Sequence, residues 1–104
     1  MPTPAQRRRT PARGGWLVYM LRCRDGSLYT GITNDLDRRL AAHSAGRASR
    51  YTRSRLPVAL AYQEPQPTKS HALRREAAIK RLTRARKDAL LAPSAGIPPR
   101  RKAR

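Results

Sequence analysis

One cysteine, Cys23, and two histidines, His43 and His71, are the only thiol and imidazole groups in this 104-residue chain. No disulfide can close within it, and one thiol with two distant imidazoles does not make a zinc site. Cys23 reads as a small residue at a strand end. Acids are scarce too: six stand against 24 bases, for a formal net charge of +18. That imbalance points away from a metabolite and toward a polyanion. Long apolar runs are absent. Trp16 to Leu21 is too short for a signal sequence or a membrane span, and prolines and glycines break up the arginine-rich start, which argues against a targeting helix. A cytoplasmic protein with no membrane partner is expected. The length supports one small core and excludes two independent domains.

What the chain has in excess is arginine, and its distribution sets the expected boundaries. Residues 1–14 carry Arg7, Arg8, Arg9 and Arg13 among prolines, and residues 93–104 carry Arg100, Arg101, Lys102 and Arg104. Neither segment holds an acid or an apolar pattern, so both read as disordered basic tails around a domain at 15–92. Without the tail bases, the middle of the chain still has a surplus of roughly ten positive charges, enough to bind nucleic acid through its phosphates.

Leu17, Tyr19 and Leu21 alternate with Val18, Met20 and Arg22, the period of a strand. Asp25-Gly26 supplies the central pair of a tight turn, and Ser27 to Thr30 returns as a second strand. Gly31 then leaves room for another group to approach the backbone. Asn34 is placed to cap a helix whose first turn holds Asp35 and Asp37 and whose inward face holds Leu36 and Leu40. Arg39 and His43, four apart, share a neighbouring face, and Gly46 should end the helix.

The connector GRASRYTRSRLP interleaves Arg47, Arg50, Arg53 and Arg55 with Tyr51. Such a loop suits phosphate contacts with an aromatic stacking platform; equally, Tyr51 can tuck its ring against the domain. Val58 to Glu64 reads as a third strand in the middle of the sheet. Thr68 or Ser70 caps a helical region reaching Leu91, with a break at Thr83 and an apolar side of Ala72, Leu73, Ala77, Ile79 and Leu82. The expected fold is α/β: a small three-stranded, mainly antiparallel sheet flanked by helices in the order β-β-α-β-α, with a further α. Glu76 sits at the edge of the apolar stripe, where a carboxylate needs a metal, a cation or several donors. An ion pair with Arg39 or with Lys80 one turn on would satisfy it as well.

The combination resembles the GIY-YIG nuclease superfamily, and within it the small stand-alone, single-domain members. Leu17-Val18-Tyr19 stands where the family has Gly-Ile-Tyr, and Tyr29-Thr30-Gly31 where it has Tyr-Ile-Gly. Arg39 matches the helix arginine, His43 the histidine one turn later, and Glu76 the metal-binding glutamate. The resemblance covers about Gly15 to Leu91. It implies a metal-dependent endonuclease with one ion, Mg2+ or Mn2+, held by Glu76. Tyr19 would be the general base, Tyr29 and Arg39 would place and stabilise the phosphate, and His43 would relay a proton or hold a tyrosine hydroxyl.

The residue types suit that chemistry: a fork of donors for phosphate, a hard oxygen ligand, and tyrosines that need nearby positive charge to lose a proton. Each also has an ordinary reading, the tyrosines as cross-strand packing and His43 as a helix-end residue favoured by the dipole. The expected substrate is DNA, with RNA as the alternative, chosen by structure rather than sequence and within DNA repair or processing. No obligate protein partner is evident. A basic module that binds DNA or RNA without cutting explains the charge equally well, as would a structural protein of a ribonucleoprotein particle. The ribonucleoprotein role leaves the set of Tyr19, Tyr29, Arg39 and Glu76 without a reason.

Overall fold

The computed structural model describes residues 15–91, so the expected basic tails lie outside the described residues. Three strands, β1 (Trp16–Arg22), β2 (Leu28–Thr33) and β3 (Ala59–Gln66), form one antiparallel sheet in the order β2-β1-β3. Four helices accompany them: α1 (Leu36–Ser44), α2 (Arg50–Arg53), α3 (Lys69–Lys80) and α4 (Arg84–Leu91). The expected order holds, with one added turn of helix in the connector. None of the helices among the described residues is long and apolar enough to cross a membrane.

The near-continuous apolar run of β1 makes it the central strand, with Leu17 to Leu21 buried on both faces of the sheet. β3, expected in the middle, is an edge strand with no fully buried residue. Pro65, which has no N–H to give a ladder, fits that edge position. Ala61 is the extra residue where the β1–β3 register shifts, so the strand pairs through a bulge.

The hairpin turn is also one residue longer than its Asp25-Gly26 pair suggests. Gly26 N–H donates to Cys23 O, and Cys23 N–H to Ser27 O, so Arg24 and Asp25 are the central residues. Gly26 follows them at φ +87°, the left-handed residue of a three-residue loop.

Each face of β1 carries its own core. Leu17, Tyr19 and Leu21 pack with Leu36 of α1, and with Tyr29, Leu40, Val58 and Leu60. Val18 and Met20 pack on the other side with Ala72 and Ile79 of α3, and with Leu82, Leu90 and Leu91 around α4.

The α1 cap is Asp35, whose carboxylate accepts from Arg38 N–H at 3.2 Å, in place of the expected Asn34. Thr33 fixes the entry, accepting from Asp35 N–H at 3.0 Å. At the other end Arg47 N–H reaches Ala42 O and Gly46 N–H reaches His43 O, with Gly46 at φ +77°, the paired bonds of a Schellman stop.

On α3, Thr68 is the cap, and the break falls at Thr83, which accepts from Arg86 N–H at the start of α4. Ala72 and Ile79, seven apart, define the buried line of α3. Leu73 and Ala77, expected on that line, lie about 100° and 140° around the helix from Ala72 and point outward, Leu73 being 46% exposed. Arg75 and Glu76 flank the buried line instead. Arg75 Nε donates to Glu64 Oε2 on β3 at 2.8 Å, and Tyr62 and Gln66 donate to the same carboxylate. Burial opposes ionisation of Glu64, but Arg75, Tyr62 and Gln66 outweigh it and hold its carboxyl below the usual range. This network sets the rotation of α3, and with it the direction of Glu76.

Candidate active site

Tyr19 of β1 is paired with Gly31 of β2, and its ring lies across the space a side chain would take there. A Cβ on Gly31 would stand 2.6 Å from Tyr19 Oη and 2.8 Å from Cζ. Glycine is therefore required at 31 so that Tyr19 can lie flat over the neighbouring strand. Gly31→Ala should push the ring aside and cost about 1–3 kcal/mol, read as a lower denaturant midpoint at unchanged slope.

Below the ring, His43 projects inward from α1 and is fully buried. Its Nε2 lies 2.8 Å from Tyr19 Oη, and its Nδ1 lies 2.8 Å from Thr52 Oγ1 of α2. Thr52 is held in turn by the Ser49 cap, whose Oγ accepts from Tyr51 and Thr52 N–H. Tyr29 completes the cluster, its ring centroid 5.1 Å from His43 and 6.4 Å from Tyr19.

Charge divides sharply around this cluster. Arg39, one turn before His43, is exposed, and it lines a cleft of about 260 Å³ with Thr33, Asn34, Asp35, Arg38 and Ala42. Burial pushes the Tyr19 phenol well above its ordinary pKa; Tyr29 and the Glu76 charge add to that, while Arg39 opposes it. The same burial, with Arg39 close by, lowers the His43 pKa, so the imidazole is neutral at neutral pH. Tyr19 thus keeps its proton and the His43 ring is uncharged.

Glu76 is placed near enough for its charge to act on Tyr19. It pairs with Lys80, whose Nζ lies 3.2 Å from Oε2; the carboxylate side chain is 19% exposed and the lysine 56%. Among the described residues no three His, Cys, Asp or Glu side chains gather as a metal cluster. One half-buried carboxylate paired with an exposed lysine still fits a hard cation of the Mg2+ kind. Such an ion is commonly held by one or two carboxylates, with water and substrate phosphate filling its shell.

The connector residues divide into two groups. Arg55 is engaged within the protein: its Cζ lies 3.8 Å from the Tyr51 ring centroid, and its Nε donates to Asp25 at 3.0 Å. Tyr51 stacks on Tyr29 with centroids 6.0 Å apart and remains 37% exposed. Arg47, Arg50 and Arg53 instead line an open depression of about 370 Å³ beside Gly46. Thr52 and Arg38 were not singled out by the sequence. Arg38 sits beside Arg39 in the same helix, but nothing in the spacing of Thr52 shows that a residue nine positions beyond His43 returns to its ring.

Residues 15–89 match the family described as the GIY-YIG catalytic domain. The chain belongs to that family. The GIY-YIG domain here is 53% identical over 76 residues to a UPF0213 protein of Xanthomonas axonopodis pv. citri, covering 73% of this chain and 74% of the relative. It is 52% identical over 73 residues to a UPF0213 protein of Halobacterium salinarum, covering 70% of this chain and 95% of the relative. A solution NMR structure of a UPF0213 protein from Bacillus halodurans aligns at 43% identity with a TM-score of 0.49, over 74% of this chain and 82% of that one. Membership places the chain in a nuclease superfamily and implies a nucleic acid substrate.

Proposed function

We propose that this GIY-YIG protein is a metal-dependent endonuclease that hydrolyses phosphodiester bonds of DNA, selected by strand structure, in DNA repair or processing. The observation that carries the reading is the buried hydrogen bond of 2.8 Å between Tyr19 Oη and neutral His43 Nε2, beside Arg39 and Glu76. A phenol held protonated is a poor base alone. With a neutral imidazole behind it, Tyr19 takes a proton from water at the same oxygen from which its own proton passes to Nε2. The hydroxide so formed attacks phosphorus, the P–O ester bond breaks, and the departing alkoxide takes a proton from solvent; His43 later returns its proton to water.

Arg39 grips a non-bridging phosphate oxygen with its planar fork. Tyr29 places the phosphate. When bound at Glu76, Mg2+ or Mn2+ supplies positive charge to the phosphoryl and leaving oxygens. Arg47, Arg50 and Arg53 hold the flanking backbone, contacts that position a strand without reading its bases. Tyr51, exposed beside Tyr29, and Arg55 on its ring lie on the same connector and add a stacking face and a further positive charge to that surface.

The test is a Mg2+-dependent cleavage assay on labelled single-stranded, duplex and branched DNA, with RNA as a comparison. Binding to all of them with cleavage of none would favour a basic module that binds without cutting. Within the assay, Arg39→Lys keeps the charge but loses the fork. Single-turnover cleavage should then fall by about tenfold or more while binding changes little. Arg84→Lys, in an exposed pair with Asp88 on α4, should alter neither. Equal effects at the two positions would remove any special role for Arg39.

A further inference from the structure

The one-turn helix α2 carries Thr52 inward, where it is fully buried against the buried ring of His43. Thr52 Oγ1 also lies 3.3 Å from the carbonyl oxygen of Ser49. A carbonyl only accepts, so that bond uses the single proton the threonine hydroxyl has. With its proton directed there, the hydroxyl accepts from His43 at 2.8 Å, and the proton between them belongs to Nδ1. The neutral ring has one N–H, so Nε2 is left with its lone pair facing Tyr19 Oη at 2.8 Å.

We propose that Thr52 is a positioning residue of the reaction: by giving its proton to Ser49 O and accepting from His43 Nδ1–H, it fixes the tautomer whose Nε2 receives the Tyr19 proton. The opposite tautomer would present N–H to Tyr19 and could take no proton from it. The rest of the connector holds Thr52 in place. Ser49 caps the turn from one side. From the other, Arg24 N–H bonds Arg55 O at 3.0 Å and Arg55 pairs with Asp25, tying the turn to the β1–β2 hairpin. The segment that presents Arg50 and Arg53 outward thus sets the acid–base geometry inward. The catalytic part of this proposal rests on the nuclease reading; the tautomer assignment does not.

The experiment uses the full chain, 15N-labelled and carrying His71→Gln, so that His43 is the remaining imidazole. Long-range 1H–15N correlation spectra at neutral pH show which ring nitrogen is protonated. The parent and Thr52→Ser should show Nδ1–H with Nε2 bare. Thr52→Val, which keeps the branched shape without the hydroxyl, should shift His43 toward Nε2–H. In single-turnover cleavage with Mg2+, Thr52→Val should lose about 10- to 100-fold in rate at little change in DNA affinity, with Thr52→Ser restoring most of it.

Nε2–H in the parent overturns the proposal, as does an unchanged Nδ1–H in Thr52→Val. Should Thr52→Val fail to fold, the parent and Thr52→Ser spectra still decide the assignment. Nδ1–H in the parent giving way to Nε2–H in Thr52→Val, with no DNA cut by the parent, supports the assignment and overturns the nuclease reading.

Discussion

Glu76→Gln should abolish Mg2+-dependent hydrolysis, by about 10²-fold or more, and leave the apo protein almost as stable as before. The two halves of that expectation have separate causes. Glu76 makes an i,i+4 pair with a lysine that is more than half exposed, and such pairs contribute about 0.3–0.5 kcal/mol. Against this, the amide removes a carboxylate held at the edge of an apolar face, where its charge is costly. The balance is near zero, a shift of no more than about 2–4 °C in melting temperature for a domain this size.

Mg2+ supplies a readout independent of cleavage. An ion that binds the folded chain raises its melting temperature, so the parent should respond to millimolar Mg2+ and Glu76→Gln should not. Without divalent metal, DNA affinity of the variant should hold or rise slightly, since one negative charge has left a basic surface. Parent-rate cleavage by Glu76→Gln would sink the mechanism, whereas early melting with no Mg2+ response in either protein would mark Glu76 as a structural ion-pair member.

The parts of this architecture legible in the sequence are those specified locally. The period-two run of β1, the Gly26 turn, the stop at Gly46 and the break at Thr83 each follow from residues within a few positions of one another. Strand order is different in kind. The stretch from Val58 to Tyr62 is apolar like a middle strand, but Gln63 to Gln66 of β3 suit an edge, and helices on both faces of the sheet leave the centre to β1, with its longer apolar run. The same holds for Leu73. Its side chain would suit a core, but the Arg75–Glu64 network fixes α3 in a rotation that turns it outward.

In the candidate site, Tyr19, Tyr29, Arg39, His43 and Glu76 were visible as a spaced set through a family resemblance. The contacts of the connector were not. Arg55 looks like any other basic loop residue until Asp25, 30 positions earlier, is seen beside it. Thr52 is likewise an ordinary polar residue until the Schellman stop turns the chain back under His43.

Tyr19→Phe isolates the hydroxyl that the proposed chemistry turns on. The ring should stay where it is, across Gly31 and among Leu17, Leu21 and Leu36, because its packing does not depend on the oxygen. Buried Nε2 of His43 loses its partner, which costs about 1–3 kcal/mol by urea denaturation. The variant remains folded at moderate temperature, so a rate measured there reports on chemistry. Loss of a proton-transferring group predicts a fall of about 10²- to 10⁴-fold in single-turnover rate, with DNA affinity held by the untouched arginines.

Stability against pH gives an independent check. The folded-state pKa of His43 lies below its ordinary 6.5, so as pH falls through 6.5 toward that depressed value the unfolded chain binds a proton that the folded chain refuses. His43 therefore contributes stability above pH 6.5 that is lost on acidification. Tyr19→Phe removes a donor that favours the neutral ring, so its stability should decline less steeply across that window. Cleavage within about threefold of the parent, at any pH, would show that the phenol oxygen handles no proton in the reaction and would leave Tyr19 a packing residue over Gly31.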